Sequence, residues 1–460
     1  MTFFCLLLYV EQAHPYLISF GEKMRLIRVH PLIMLLVLLG SQKASAQDPN
    51  WALSGLLGTV TVGQTQWQRL DMQPHIRLGA LEAVLDIELF LDETGNIQDL
   101  GWDFSTRKKG LESLFRKIYY VQYGHPTDRD SRVYLRLGAL ESITLGSGLL
   151  MRNYRNTQDA PGIKRTGLDL QLQHLFNQHL TIRTIVSDLL DLDGGGPIVG
   201  SRVVFHPTQQ WDMGVTVVVD TDQLNGLPDS VRNNRPRDAY GSISLDLIYP
   251  LISKPSLQIQ LYGAIARALN SGGGLGLSGP GLKMDLGGLH IQGEYRWVTG
   301  RFQPGHFDAL YDLNRATVDS VTSTILTREA ALLDQSMQGI FADASLHLGH
   351  YLQAGATYQF LTGNGTEAQI LEGRAQISPK ALAHISKISL AEAYYEKRFN
   401  SLDLGTFFDG TADTRFGYRL GISPMPQLTL FSEVEFTYEP DGQGGYLRRR
   451  TLNIQSKINF

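Results

Sequence analysis

The chain has 460 residues, 43% hydrophobic and 19% charged, and its 41 Lys and Arg against 45 Asp and Glu leave a formal net charge of −4. That balance offers none of the basic surface on which nucleic-acid binding relies, and one cysteine excludes both a disulfide framework and a cysteine-based metal site. A mean hydropathy of −0.12 excludes a polytopic helical membrane protein, although not a barrel, whose strands are apolar only at every second residue.

The first element in chain order reads as an export leader. Met24 opens a basic segment with Arg25 and Arg28, then the apolar run 31–40, then Ala44-Ser45-Ala46, which places cleavage before Gln47. The apolar run is too short for the roughly 20 residues a membrane-spanning helix needs. Residues 1–23, which hold the one cysteine, Cys5, read as an over-extended start. The expected organisation is a leader over 1–46, a periplasmic tail, plug or first strand over 47–70, and a barrel over 71–460.

Beyond the leader the chain is written in period two, the signal of β-strands. Val133, Leu135 and Leu137 alternate with Arg132, Tyr134 and Arg136; Leu168, Leu170 and Leu172 with Asp169, Gln171 and Gln173; Ile243, Leu245 and Leu247 with Ser242, Ser244 and Asp246. Leu257, Ile259, Leu261 and Ile265 share one face, and Leu289, Ile291, Tyr295 and Trp297 alternate with His290, Gln292, Glu294 and Arg296. A soluble sandwich also alternates, but its strands run about five or six residues. These segments run about ten or more, the length a tilted strand needs to cross a bilayer. Short turns (near 176–178, 206–210, 249–255, 349–350 and 423–427) also alternate with long connections (146–164, 221–237, 270–280 and 300–335), as in outer-membrane barrels. Tyr119, Trp211, Tyr249, Trp297, Phe360, Tyr438 and Tyr446 fall near strand ends, where aromatic girdles sit. The 47 glycines serve turns and strand bends.

The last strand carries Leu452, Ile454, Ser456 and Ile458 at alternate positions and ends in Phe460. It resembles the terminal assembly signal of Gram-negative outer-membrane β-barrels, Ser456 departing from the usual apolar residue, and the layout is similar to that of large porin-like barrels. The resemblance implies insertion from the periplasm by the barrel-assembly machinery, with outer-membrane lipid as the surroundings. No functional residue is carried over from it.

The expected fold is therefore all-β, a transmembrane antiparallel barrel of about 18 strands (16–20) with short periplasmic turns and long extracellular loops. Eighteen requires 363–385 to be an external loop and 402–409 a strand; if 51–69 adds a strand and 70–92 splits, the count becomes 20. The pair Arg77–Glu82 and Arg136–Glu141, both reading RLGALE, is either a trace of hairpin duplication or a shared strand template.

With apolar residues toward lipid, the alternate set faces the lumen: Asp86, Glu88, Arg132, Arg136, Asp169, Arg183, Asp246, His290, Glu294, Arg296, Glu433, Glu435, Arg449 and Lys457. Charges opposed across a constriction would set ion selectivity; alternatively they pair along a hydrated wall. Residues 301–335 either fold inward or lie over the mouth, with a short helix expected at Thr327–Asp334. Arg448 and Arg450 fall on the lipid-facing register near the outer end of the last strand, where arginine can snorkel.

Enzyme signals are weak. Gly274-Leu-Gly-Leu-Ser-Gly279 matches a dinucleotide fingerprint but lacks a βαβ setting, so it reads as an external loop. Asp188, Asp191 and Asp193 before three glycines could hold a hard cation, or form a plain hairpin loop. No Gly-x-Ser-x-Gly elbow is present. The leading expectation is a passive channel for small solutes, without enzyme activity, cofactor or metal. The runner-up is a plugged barrel that binds a partner through its long loops, and a membrane-embedded hydrolase is the third.

Overall fold

The structure is a computed structural model describing residues 51–459, apart from 63–64, 93–95, 99–100, 127–130, 158–164, 193–194, 209, 228, 233–234, 270–272, 319–323, 350, 364, 383–386, 400–408, 412–413, 426 and 441–445. The leader, all but the last residue of the expected strand at 402–409, and Phe460 lie outside the described residues.

Among the described residues the chain forms one antiparallel sheet of twenty strands: β1 (Trp51–Val62), β2 (Thr65–Leu78), β3 (Leu81–Leu85 with Ile87–Leu91), β4 (Ile97–Gln98 with Ile118–Tyr123), β5 (Val133–Gly138), β6 (Gly167–His174), β7 (Leu180–Val186), β8 (Ile198–Thr208), β9 (Trp211–Asp220) and β10 (Tyr240–Lys254). It continues through β11 (Leu257–Ala268), β12 (Gly274–Asp285), β13 (Leu289–Gly300), β14 (Met337–Leu348), β15 (Leu352–Gly363), β16 (Thr366–Ile377), β17 (Ile388–Phe399), β18 (Thr414–Met425), β19 (Leu428–Pro440) and β20 (Tyr446–Asn459). Each strand pairs with the next, and β1 pairs with β20, Ser54 opposite Asn459 and Gly58 opposite Gln455, so the sheet closes on itself. A closed sheet leaves no unpaired edge, the condition for strands to lie in hydrocarbon.

Twelve-residue strands such as β11 to β16 are about 40 Å long; tilted as barrel strands are, they span the roughly 30 Å of a bilayer core. Their polarity is inside out. On β11 Leu261 is 41% and Ile265 48% exposed, and on β13 Tyr295 and Trp297 are exposed, whereas Tyr262, Glu294 and Arg296 between them are buried inside. In water such a band would be a large apolar surface; against lipid it is the stable arrangement. Trp211 and Tyr249 pack at a ring distance of 4.8 Å at the short-turn end.

Three expectations about the wall are corrected. There are twenty strands rather than eighteen, because Trp51–Val62 and Thr65–Leu78 are both strands and 363–385 is not a loop but contains β16. Strand β17 consequently runs opposite to the direction assigned to 386–398. The glycine-rich stretch 274–279 is no loop either: it opens β12, with the ladder shifting register between Ser278 and Gly281. The two RLGALE copies occupy unrelated places. Residues 77–82 make the tight turn from β2 to β3, while 136–141 end β5 and leave the wall.

Candidate functional site

Strands β4 to β7 contribute only six to eight residues each to this part of the wall, and the chain leaving β5 turns inward. The turn is made at Gly138, whose φ is +114° and where a Cβ would lie 2.3 Å from the Tyr119 carbonyl oxygen; only glycine fits. Residues 139–157 then double back, with Ile143 and Tyr154 exchanging backbone hydrogen bonds of 2.9 Å. A second segment, 302–316, comes in beside them: Phe307 N–H donates to Leu150 O at 3.1 Å, and Arg152 N–H to Phe307 O at 3.0 Å. Together they form a wedge inside the barrel.

The wedge has an apolar core. Leu140, Leu149, Leu150, Met151, Tyr154, Phe307 and Tyr311 pack on the inner wall at Ile185, Ile198, Val218, Tyr240, Ala264, Ala266 and Val298. Small inward residues make room for it: a Cβ on Gly276 would meet the Phe302 ring, and one on Gly200 would meet Leu145. A buried charge cluster pins the far end. Arg315 reaches the Asp220 carboxylate and donates to Gly196 O at 2.7 Å and Asp222 O at 2.9 Å, while Tyr154 donates to Asp312 at 2.7 Å and Tyr311 to Asp220 at 2.9 Å. Residues 302–316 thus take the inward alternative. In place of the helix expected at Thr327–Asp334, residues 325–327 pair with 316–318 and a turn follows over 328–331.

The opposite half of the lumen stays hollow. A cavity of about 740 Å³ opens toward the short-turn end, lined by His347, Arg374, Glu392, Arg419 and Glu433 among others. Another of about 750 Å³ opens toward the long connections, lined by Arg296, Asp308, Arg328, Lys397 and Glu435 among others. They share Arg152, Asn153, Arg155, Thr357, Glu372, Glu396 and Arg415, which form the collar where the two meet. At this collar Arg152 pairs with Asp343 at 2.7 Å and Arg415 with Glu435 at 2.9 Å, and in the short-turn-end cavity Arg374 donates to Glu392 at 2.7 Å. Arg155, like Arg152 and Arg415, has an Nε buried without a hydrogen-bond partner. Burial, and then the neighbouring Arg374, hold its guanidinium below the ordinary arginine pKa, with Glu396 and Glu372 acting the other way.

The residues singled out from sequence fall in several places. Arg296, Glu433 and Glu435 border the cavities. Asp169 with Arg183, and Asp246 with Arg202, are ion pairs beside the wedge; Arg183 donates to Asp169 at 2.9 and 2.8 Å. Glu294 accepts from Ser278 at 2.5 Å and from Tyr262, close to the wedge backbone that Gln292 reaches at Ser147 O. Arg136 lies over the Tyr120 ring and donates to Ala139 O at 2.8 Å. Arg132 is exposed in the connection before β5 rather than inside, because the strand starts one residue later. His290 is half-buried opposite Asp285 and Ser345. Asp86 and Glu88 group with Asp71 beside Arg69 and Gln73. Lys457 is half-buried; the side chain of Arg449 lies outside the description. Leu452, Ile454 and Ile458 are exposed on the outer face of β20. Asp188 caps its loop and pairs with Arg116, and Asp191 accepts from Asn225; Asp193 lies outside the described residues.

Sequence reading missed the collar itself. Its wall half, Glu372, Glu396 and Arg415, is legible as the inward register of β16 to β18 once β16 is recognised; its wedge half, Arg152 and Arg155, carries no periodic signal.

A closed sheet with an apolar exterior and a charged, partly hollow interior defines a membrane-spanning β-barrel of the outer-membrane type. No family model matches the chain, and no curated protein matches it. Among solved structures it is similar to Wzi, an outer-membrane protein involved in group 1 capsule assembly in Escherichia coli and a carbohydrate-binding barrel, at 10% identity over 93% of this chain and 87% of that one, with a TM-score of 0.32. It is also similar to the outer-membrane protein OprD from Pseudomonas aeruginosa (11% identity, 91% and 96% covered, TM-score 0.32) and to a BenF-like porin from Pseudomonas fluorescens Pf-5 (10%, 90% and 99%, 0.33). No property of these proteins is carried over to this chain.

Proposed function

We propose that the protein is an outer-membrane channel through which small polar solutes pass passively, along the half of the lumen that the wedge leaves open. The observation that carries this reading is the pair of cavities meeting at a charged collar. The long connections face outward and the short turns face the periplasm. The wedge narrows a barrel that would otherwise be wide enough for a broad aqueous pore. At the collar, Arg152 and Arg155 from the wedge oppose Glu372 and Glu396 from the wall, so a passing ion meets a transverse field and both signs of charge find a partner. Liposome swelling tests the reading. Vesicles holding the folded protein should swell in small sugars and amino acids, with rates falling steeply as solute size grows. Swelling no faster than in protein-free vesicles, from a preparation that migrates as a folded barrel, would overturn it.

A further inference from the structure

The outer face of the barrel is indented where β11 to β14 lie side by side. Leu261 on β11, Leu282 on β12 and Gly293 on β13 stand in one row across the ladders, followed by Ala342 on β14. The row faces outward, since Leu261 and Leu282 are each 41% exposed. The next row, Tyr262 and Glu294, is buried inside the barrel, where the two side chains bond each other. A Cβ built on Gly293 meets nothing within 4 Å, so the outer row lacks a side chain at this point. The vacancy is the floor of a pit of about 430 Å³. Leu261 and Leu282 wall it on one side and Ile340, 53% exposed, on the other. Glu294 and Phe341 also border it, but their side chains turn inward to Tyr262 and Arg296.

The rim toward the long connections comes from a β-bulge. Gly279 and Pro280 of β12 fall opposite the single Gly263 of β11 and the single Tyr295 of β13. Pro280 and Tyr295 both border the pit. The Tyr295 hydroxyl donates to Gln338 at 2.6 Å, so its polar end is already bonded. Gly293 and Leu261 are each the fifth residue of their strands counted from the short-turn end. Four steps of about 3.3 Å, tilted by about 40°, put the pit roughly 10 Å inside that end. The apolar belt of such a barrel is about 25 Å tall, so the pit opens within it, in the leaflet on the short-turn side. Water is absent from the bilayer core, and an unfilled void would forfeit dispersion contacts with its walls. The material continuous with this face is lipid hydrocarbon, and a flexible acyl chain has the chemistry and the width for a narrow apolar pit.

We propose that the pit seats one acyl chain of a phospholipid from that leaflet, lying on Gly293 between Leu282 and Ile340 and capped by Tyr295. A chain held there touches protein on several sides, whereas one against β10 meets a single layer of side chains such as Leu245 and Leu247. It therefore exchanges more slowly than the lipid around it. The proposal rests on the barrel spanning a bilayer and is independent of whether the lumen conducts. G293L tests it, because the open space at Gly293 accepts a side chain without a clash and the leucine would occupy the pit. Wild type and G293L are folded into phosphatidylcholine vesicles doped with phosphatidylcholine carrying a diazirine midway along one acyl chain, and photoadducts are mapped by mass spectrometry. In the wild type, adducts on Leu282, Tyr295 and Ile340 should exceed those on Leu247 and Leu420, exposed outer-face residues away from the pit, about fivefold or more. In G293L the excess should vanish while the unheated band still migrates as a closed barrel. Equal labelling of both sets in the wild type would overturn the proposal, as would an excess that G293L leaves intact. Labelling at the pit below that at Leu247 would overturn it too, and would point to another protein surface covering the pit.

Discussion

Arg315→Met tests whether the wedge is held as the structure indicates. Arg315 is 1% exposed and faces Asp220 and Asp312, both buried, with two backbone carbonyls on the same guanidinium. Methionine keeps much of the volume but leaves Asp220 with only the Tyr311 hydroxyl and the Asp222 N–H, and Asp312 with Tyr154 and Arg165. Removing one partner of a buried ion pair costs about 3–5 kcal/mol, because the remaining charge stays desolvated. The barrel wall does not depend on this contact, so the loss falls on wedge docking. At about 1.4 kcal/mol per factor of ten, the undocked population should rise by about 10² to 10³-fold or more. Limited proteolysis of the folded protein reads this directly, since cleavage slower than reclosure tracks the open fraction. Cleavage within 301–336 should accelerate by a comparable factor while the unheated band on a gel still migrates as a closed barrel. An unchanged cleavage rate in a closed barrel would refute the idea that this cluster pins the wedge.

Further outcomes are expected. Arg155→Glu reverses a collar guanidinium set opposite Glu372 and Glu396, and the reversal potential in a KCl gradient should move toward cation selectivity by tens of millivolts, roughly a several-fold change in permeability ratio. Gly138→Val meets both a positive φ and the Tyr119 carbonyl, so the folded band should be lost or its unfolding midpoint should fall, the backbone strain alone costing about 1–3 kcal/mol. Gly276→Leu occupies the site of the Phe302 ring; overpacking of about 1–3 kcal/mol should loosen 302–316 and increase conductance noise. Leu261→Arg, on the outer face of β11, should destabilise the folded barrel in lipid by about 2–4 kcal/mol near mid-membrane, measured by urea unfolding in vesicles.

The barrel was legible because lipid imposes one rule on every strand, and alternation such as Leu245, Leu247, Leu261 and Ile265 records it. The rule fades where the outer face is weakly apolar. Strand β16 presents Gln369 and Ala375 on the side away from the cavities, with Gln369 satisfied by the Tyr358 hydroxyl, and so it passed for a loop. The site was less legible. The wedge forms through contacts between segments some 150 residues apart, as in Tyr154 with Asp312, and such contacts leave no local period. One trace of it does exist. Inward positions against the wedge on β8, β9, β11 and β12 include Gly200, Val218, Ala264, Ala266 and Gly276, small and apolar where a hydrated wall would be charged. Strand stretches apolar on both faces imply a second apolar surface inside the barrel. That inference was available from the sequence and points to an internal wedge beside the charged half.

Single-channel recording in planar bilayers bears most directly on the central claim. Folded protein added to one chamber should produce discrete, ohmic conductance steps, and the substitution of Arg155 by glutamate should alter their ion selectivity without abolishing them. Silent bilayers from protein that is inserted and folded would contradict the account, as would steps whose selectivity is indifferent to the charge at residue 155.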